Sequence, residues 1–167
     1  MPELHGDLVE LRNQLDKGRI QKAYTAIISY MSGLRTHFDT HKDWVVSGLY
    51  QGYFDMTYFA VLPPLVKARN LKLAVVFDYE KFGFQVWLAA RNRAVQHQYF
   101  KLFRDCGWPA ESLVEPAVGV DAIVRRDVAN GLDLDEPNKL TAAINRAVKS
   151  FLTDLELFLE IHDPQTV

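Results

Sequence analysis

Cysteine is almost missing: the 167-residue chain has one, Cys106. It has no partner for an internal disulfide, and no second thiolate exists to build a metal cage, so a reducing compartment is indicated. Long apolar runs are missing too. Phe59 to Leu62 stops at Pro63-Pro64 and Leu73 to Phe77 stops at Asp78, whereas a bilayer-spanning helix needs roughly 20 apolar residues. Glu3, His5, Asp7 and Glu10 fall where a signal peptide keeps its apolar run. The expected location is cytoplasmic, with no membrane partner. Neither sign of charge dominates: 19 Lys plus Arg stand against 21 Asp plus Glu, a formal charge of -2. No global positive field gathers nucleic acid. There is also no Walker phosphate loop, no dinucleotide glycine fingerprint, no nucleophile elbow and no paired histidines at zinc spacing. No cofactor and no metal is therefore expected.

What is present is an ordinary globular balance, 49% hydrophobic and 24% charged residues, enough to build a core without outside help. No repeat, low-complexity tract or Gly/Ser linker divides it, so a single domain over residues 1–167 is expected. From Leu4 to Phe38, apolar residues at helical spacing (Leu8, Leu11, Leu15, then Ile20, Tyr24, Ile27, Leu34 and Phe38) predict amphipathic helix, broken near Gly18. Trp44 to Leu62 is dense in Val, Tyr, Phe and Thr and reads as strand. It forms either one long strand bent at Gly52 or a hairpin turning near Gly52 to Asp55.

Pro64 opens a short helical turn through Arg69. Lys72 to Tyr79 and Phe84 to Ala90, joined by Glu80-Lys81-Phe82-Gly83, carry the signature of an antiparallel hairpin. Arg93 to Cys106 reads as helix, stopped by Gly107. Val114 to Val118 reads as a short strand, and Val120 to Val128, which fits either period, is taken as helix. A long final helix starts at Asp135 to Pro137 and packs against the first helices. The expected fold class is α+β: a central antiparallel sheet of four or five strands with N-terminal, middle and C-terminal helices packed around it.

Two stretches concentrate polar chemistry. In an unbroken strand Gln51, Tyr53, Asp55 and Thr57 share one face, presenting a carboxylate, an amide and a phenol to a cleft. The plainer reading of that face is a solvated surface or a structural hydrogen-bond network. From Gln85 and Trp87 the next strand runs into Arg91-Asn92-Arg93 and Gln96-His97. There a helix start with free backbone donors and guanidinium forks suits a phosphate or carboxylate. The plainer alternative is that Asn92 caps the helix and the arginines pair with surface acids. Asp78-Tyr79-Glu80-Lys81 superficially resembles nuclease chemistry, but a hairpin tip is ordinarily charged. His37 and His41 read as surface residues at a helix end, and Cys106 as a bystander.

Arg12-Asn13-Gln14-Leu15 with Gly18 and Ile20 to Tyr24, Tyr50 to Tyr53 with Asp55 to Phe59, and Val86 to Ala89 with Asn92, Gln96 and Tyr99 form a recognisable set. Over Leu11 to Phe103 the chain resembles a family of small bacterial proteins classed as a domain of unknown function. The resemblance implies a shared fold and brings no activity with it. It also implies an acidic residue where this chain has Gln85, which counts against a two-carboxylate mechanism here.

The preferred expectation is a small-molecule binding module for an anionic or amide-bearing ligand. Its pocket lies between the central strands and the following helix, lined by Gln51, Tyr53, Asp55, Gln85, Trp87, Arg91, Asn92 and Gln96. One alternative is a hydrolase or nuclease-related enzyme using Asp55. Another is an interaction module, self-associating as a homodimer or binding a foreign partner through Tyr50, Tyr53, Phe54, Tyr58 and Trp87.

Overall fold

Gly18 adopts φ +69°, a left-handed conformation open to glycine at little cost. It divides the first helical run into α1 (Pro2–Asp16) and α2 (Arg19–Phe38). The computed structural model describes residues 2–128 and 133–164. Helix α2 buries Ile27, Met31, Leu34 and Phe38. Helix α1 does not follow it into the core, and Leu4, Leu8, Leu11 and Leu15 all remain exposed. Of the N-terminal helices, α2 is thus the one that supplies buried core residues.

The 44–62 region is a hairpin. Strand β1 (Val45–Val46) runs antiparallel to the end of β2 (Met56–Leu62), with Val46 opposite Val61. Further along, Tyr50 stands opposite Tyr58. Those two pairings differ in register by one residue. Such a slip turns every later side chain to the other face of a sheet. Val46 packs with the helix-side core, whereas Tyr50 emerges beside Tyr58 on the opposite side. The expected strand face of Gln51, Tyr53, Asp55 and Thr57 is not formed, because the first three lie in the connecting loop.

Pro63-Pro64 stops β2, and Pro64, whose missing N–H is not needed in a first turn, opens α3 (Pro64–Lys67). Strands β3 (Leu71–Asp78) and β4 (Gly83–Ala90) form the expected hairpin, from Asp78 opposite Gly83 to Leu71 opposite Ala90. Helix α4 (Arg93–Asp105) follows and ends before Gly107 at φ +84°. Residues 114–118 are not a strand; Leu113 makes only an isolated bridge to Val124. Residues 122–127 are not helix but β5 (Ala122–Asp127), paired with β4 through Leu88 opposite Val124 and Ala89 opposite Ala122, with a bulge between. Tertiary pairing decides that ambiguous segment. The outer edge of β4 carries backbone donors and acceptors that need partners once covered, and the β-branched Ile123 and Val124 suit a strand. Helix α5 (Pro137–His162) closes the chain.

The sheet is a five-stranded antiparallel meander in the order β1-β2-β3-β4-β5, and the fold is α+β. One face bears Phe59, Val61, Leu73, Val75, Phe77, Val86 and Leu88, packed against residues of α2, α4 and α5. Arg69 ties the end of this layer together. It donates to the Leu65 carbonyl and to Asp163, whose carboxylate also accepts from the Tyr99 hydroxyl at 2.7 Å. The other face carries a smaller cluster, Ala74, Val76, Trp87 and Ala122, covered by Met56, Tyr58, Val114 and Val120. Among the described residues, no helical residue belongs to that cover.

Candidate functional site

The helix-free face is bordered on one side by the 47–55 loop and on the other by the 113–121 segment, and both are held by specific bonds. Gly52 lies at φ +70°, and a β-carbon there would collide with the Met56 carbonyl and the Asp55 carboxylate. Phe54, with φ 62°, holds a left-handed conformation uncommon for a bulky residue. The Asp55 carboxylate folds back onto this loop, its Oδ1 accepting from the Tyr53 N–H at 2.9 Å. Thr57 Oγ1 donates to the Gln51 carbonyl at 2.6 Å. Backbone N–H groups of Met56 and Tyr53 hold the Asp55 carboxyl below the usual carboxylate range. Asp55 is thus an exposed, ionised carboxylate, poorly suited to donating a proton.

Across the face, the buried Gln96 side chain donates to the carbonyls of Val120 at 2.8 Å and Ala122 at 3.1 Å, and it accepts from Arg93 at 2.9 Å. It ties the second border to α4. Asn92 Oδ1 accepts from the Val95 N–H at 3.0 Å and is the N-cap of α4. The proposed anion corner therefore loses two members, since Asn92 and Gln96 are spent on capping and on loop positioning.

Between the borders lies a hollow of about 320 Å³, lined by Tyr50, Asp55, Tyr58, Lys72, Trp87 and Asp121 among others. This is at the lower end of ordinary ligand pockets, roughly 300–1,000 Å³. The Tyr50 and Tyr58 rings stand 5.1 Å apart, and Lys72 Nζ lies 6.0 Å from the Tyr58 ring and 3.0 Å from Asp121. Trp87 forms the floor. Its indole N–H donates to Gln85 Oε1 at 2.7 Å, and the buried Gln85 donates in turn to Asp127 at 2.6 Å. The Arg125 guanidinium lies 4.2 Å from the indole ring centre, a cation–π contact.

Asp55 and Arg91 do not meet. Asp55 precedes Met56, which pairs with Asp78 at one end of the sheet. Arg91 follows Ala90, which pairs with Leu71 at the other. Seven residue steps along β3 separate these ends, about 23 Å. Arg91 lines a second hollow of about 320 Å³ with Leu62, Lys67, Asn70, Leu71 and Lys72. Lys72 lines both hollows. The expected single pocket is replaced by two neighbouring depressions, acidic at the Asp55 end and basic at the Arg91 end. Tyr53 belongs to neither, being 92% exposed at the loop tip.

Lys67, Lys72 and Asp121 were missed by sequence reasoning. Lys72 carried a signal, as the one charged residue inside the otherwise apolar run from Leu71 to Phe77. Nothing in the sequence pointed to Asp121, which reaches Lys72 only through the β4–β5 pairing. Elsewhere, the Asp78 carboxylate accepts from the Glu80 and Lys81 N–H groups and is a turn residue. His41 stacks on Trp44 at 4.3 Å. Among the described residues, no three His, Cys, Asp or Glu side chains gather into a metal-binding group, and no helix is long and apolar enough to cross a membrane.

The family model described as Domain of unknown function (DUF7000) matches residues 4–159. The chain belongs to this family. No curated protein and no solved structure matches it. The DUF7000 match runs past Phe103 through β5 and most of α5, so every residue lining the two hollows lies within the family's span.

Proposed function

We propose that the protein is a cytoplasmic small-molecule binding module whose ligand combines a flat apolar body with an anionic group. The observation that carries this reading is the sharing of Lys72 by the hollow on the helix-free face and a second hollow at the α3 end of the sheet. The body lies over Trp87 against the paired rings of Tyr50 and Tyr58. The anion lies toward Lys67 and Arg91, which with Lys72 line the second hollow beside apolar Leu62 and Leu71. An amide or amine of the ligand then has Asp55 to accept its hydrogen bond. The cytoplasmic assignment rests on the near absence of cysteine.

Binding is favoured over catalysis by the state of Asp55. A general acid needs a carboxyl that keeps its proton near neutrality, and the N–H groups around Asp55 act in the opposite direction. The test uses adenosine monophosphate and indole-3-acetate, each a flat ring system bearing an anion. Both should raise the thermal midpoint of the wild type, and Arg91→Ala and Tyr50→Ala, at exposed positions, should abolish the rise while leaving the unliganded midpoint unchanged. Equal rises in wild type and variants would refute the site.

A further inference from the structure

Leu4, Leu8, Leu11 and Leu15 recur at intervals of four, three and four along α1, the spacing of a coiled-coil seam. All four are exposed, at 57%, 55%, 49% and 39%, and α1 contributes nothing to the buried core. A helix of 15 residues that also contains Gly6 is marginal alone in water. It needs a partner surface. The sheet's helix-bearing face is already occupied by α2, α4 and α5.

We infer that α1 pairs with α1 of a second copy of this chain as a short parallel two-stranded coiled coil. The leucines take the a and d positions (Leu8 and Leu15 at a, Leu4 and Leu11 at d), which places Asp7 at g and Arg12 at the following e. In a parallel pair, g of one helix faces the next e of the other, so Asp7 meets Arg12 of the second copy twice, by two-fold symmetry. An antiparallel pair sets e against e and g against g. It matches His5 with Arg12 and Asp7 with Gln14, and gains no opposite-charge contact. Among the described residues neither Asp7 nor Arg12 forms an ion pair within its own chain. Charge complementarity thus selects both the occupant and its direction.

Sedimentation of the full chain over a concentration series tests this. The wild type should be a reversible dimer, and Leu8→Glu with Leu11→Glu should be monomeric with an unchanged thermal midpoint for the body, because neither leucine touches the core. Asp7→Arg should weaken the dimer by roughly tenfold, and Asp7→Arg with Arg12→Asp should restore it. Leu11→Cys should form an intermolecular disulfide that the wild type, carrying only Cys106, does not form. A wild type that stays monomeric throughout would overturn the inference, as would a dimer indifferent to the glutamates. A dimer that fails to cross-link through Leu11→Cys would overturn the parallel arrangement, and association only with a different protein would replace the second copy as occupant.

Discussion

The Trp87 indole N–H is fixed by Gln85, two residues earlier on the same strand and face, at 2.7 Å. Gln85 is itself anchored to Asp127 across the β4–β5 pairing. The floor of the site is therefore oriented by a buried amide whose oxygen and nitrogen are both engaged, an arrangement that holds one indole rotamer.

Replacing Gln85 by Leu leaves a buried indole donor without its acceptor. The expected cost is about 1–3 kcal/mol, read as a lowered denaturation midpoint with an unchanged slope. Gln85→Glu should behave differently. It keeps an acceptor for Trp87 but sets a second carboxylate against Asp127, so its stability should fall as pH rises through the carboxylate range.

Gly52→Ala should displace the loop that carries Tyr50 and Asp55. The position combines φ +70° with a collision against the Met56 carbonyl, and strain of this kind costs on the order of 1–3 kcal/mol. Probe binding should weaken along with stability in thermal-shift titrations. Gly48→Ala has open space at its β-carbon and a φ outside the left-handed region, and should leave both unchanged.

Asp55 gives the acid limb of the stability profile a definite sign. Its folded-state carboxyl is shifted below the unfolded value by the Met56 and Tyr53 N–H groups. Its contribution is therefore present above the unfolded value, near pH 4, and lost as pH falls through the folded one. Urea unfolding across that range should show a shallower decline for Asp55→Asn than for the wild type.

Tyr99 governs the alkaline limb. Burial, the hydrogen bond to Asp163 and that carboxylate's charge push its phenol well above the ordinary value. The raised group stabilises the fold fully below the unfolded value, near pH 10, and its contribution is lost as pH rises toward the folded one. Tyr99→Phe should start less stable by about 1 kcal/mol and decline less over the same alkaline range.

Local chemistry made much of this fold legible. The break at Gly18, the Pro64 turn, the β3–β4 hairpin, the α4 stop at Gly107 and the long α5 each follow from residues acting over one or two turns of chain. Residues 120–128 were misread because two periods fit them and the open edge of β4 made the choice. The site was legible only in part. Trp87, Asp55 and Arg91 each line a hollow, but the register slip that brings Tyr50 to Tyr58, and the pairing that brings Asp121 to Lys72, are long-range facts. Asn92 and Gln96 carry the same polar groups whether they bind a ligand or cap a helix and hold a loop. Only their partners distinguish the two.

The most direct test of the account is a nitrogen–proton correlation titration of the wild type with adenosine monophosphate, following backbone amides and the indole resonances of the three tryptophans. The Trp87 indole should shift saturably together with the amides of Tyr58, Lys72 and Arg91, and Arg91→Ala should suppress those shifts. A still Trp87 indole, or shifts gathered instead around the α2–α5 groove at Tyr30 and Thr141, would contradict a ligand site on the helix-free face.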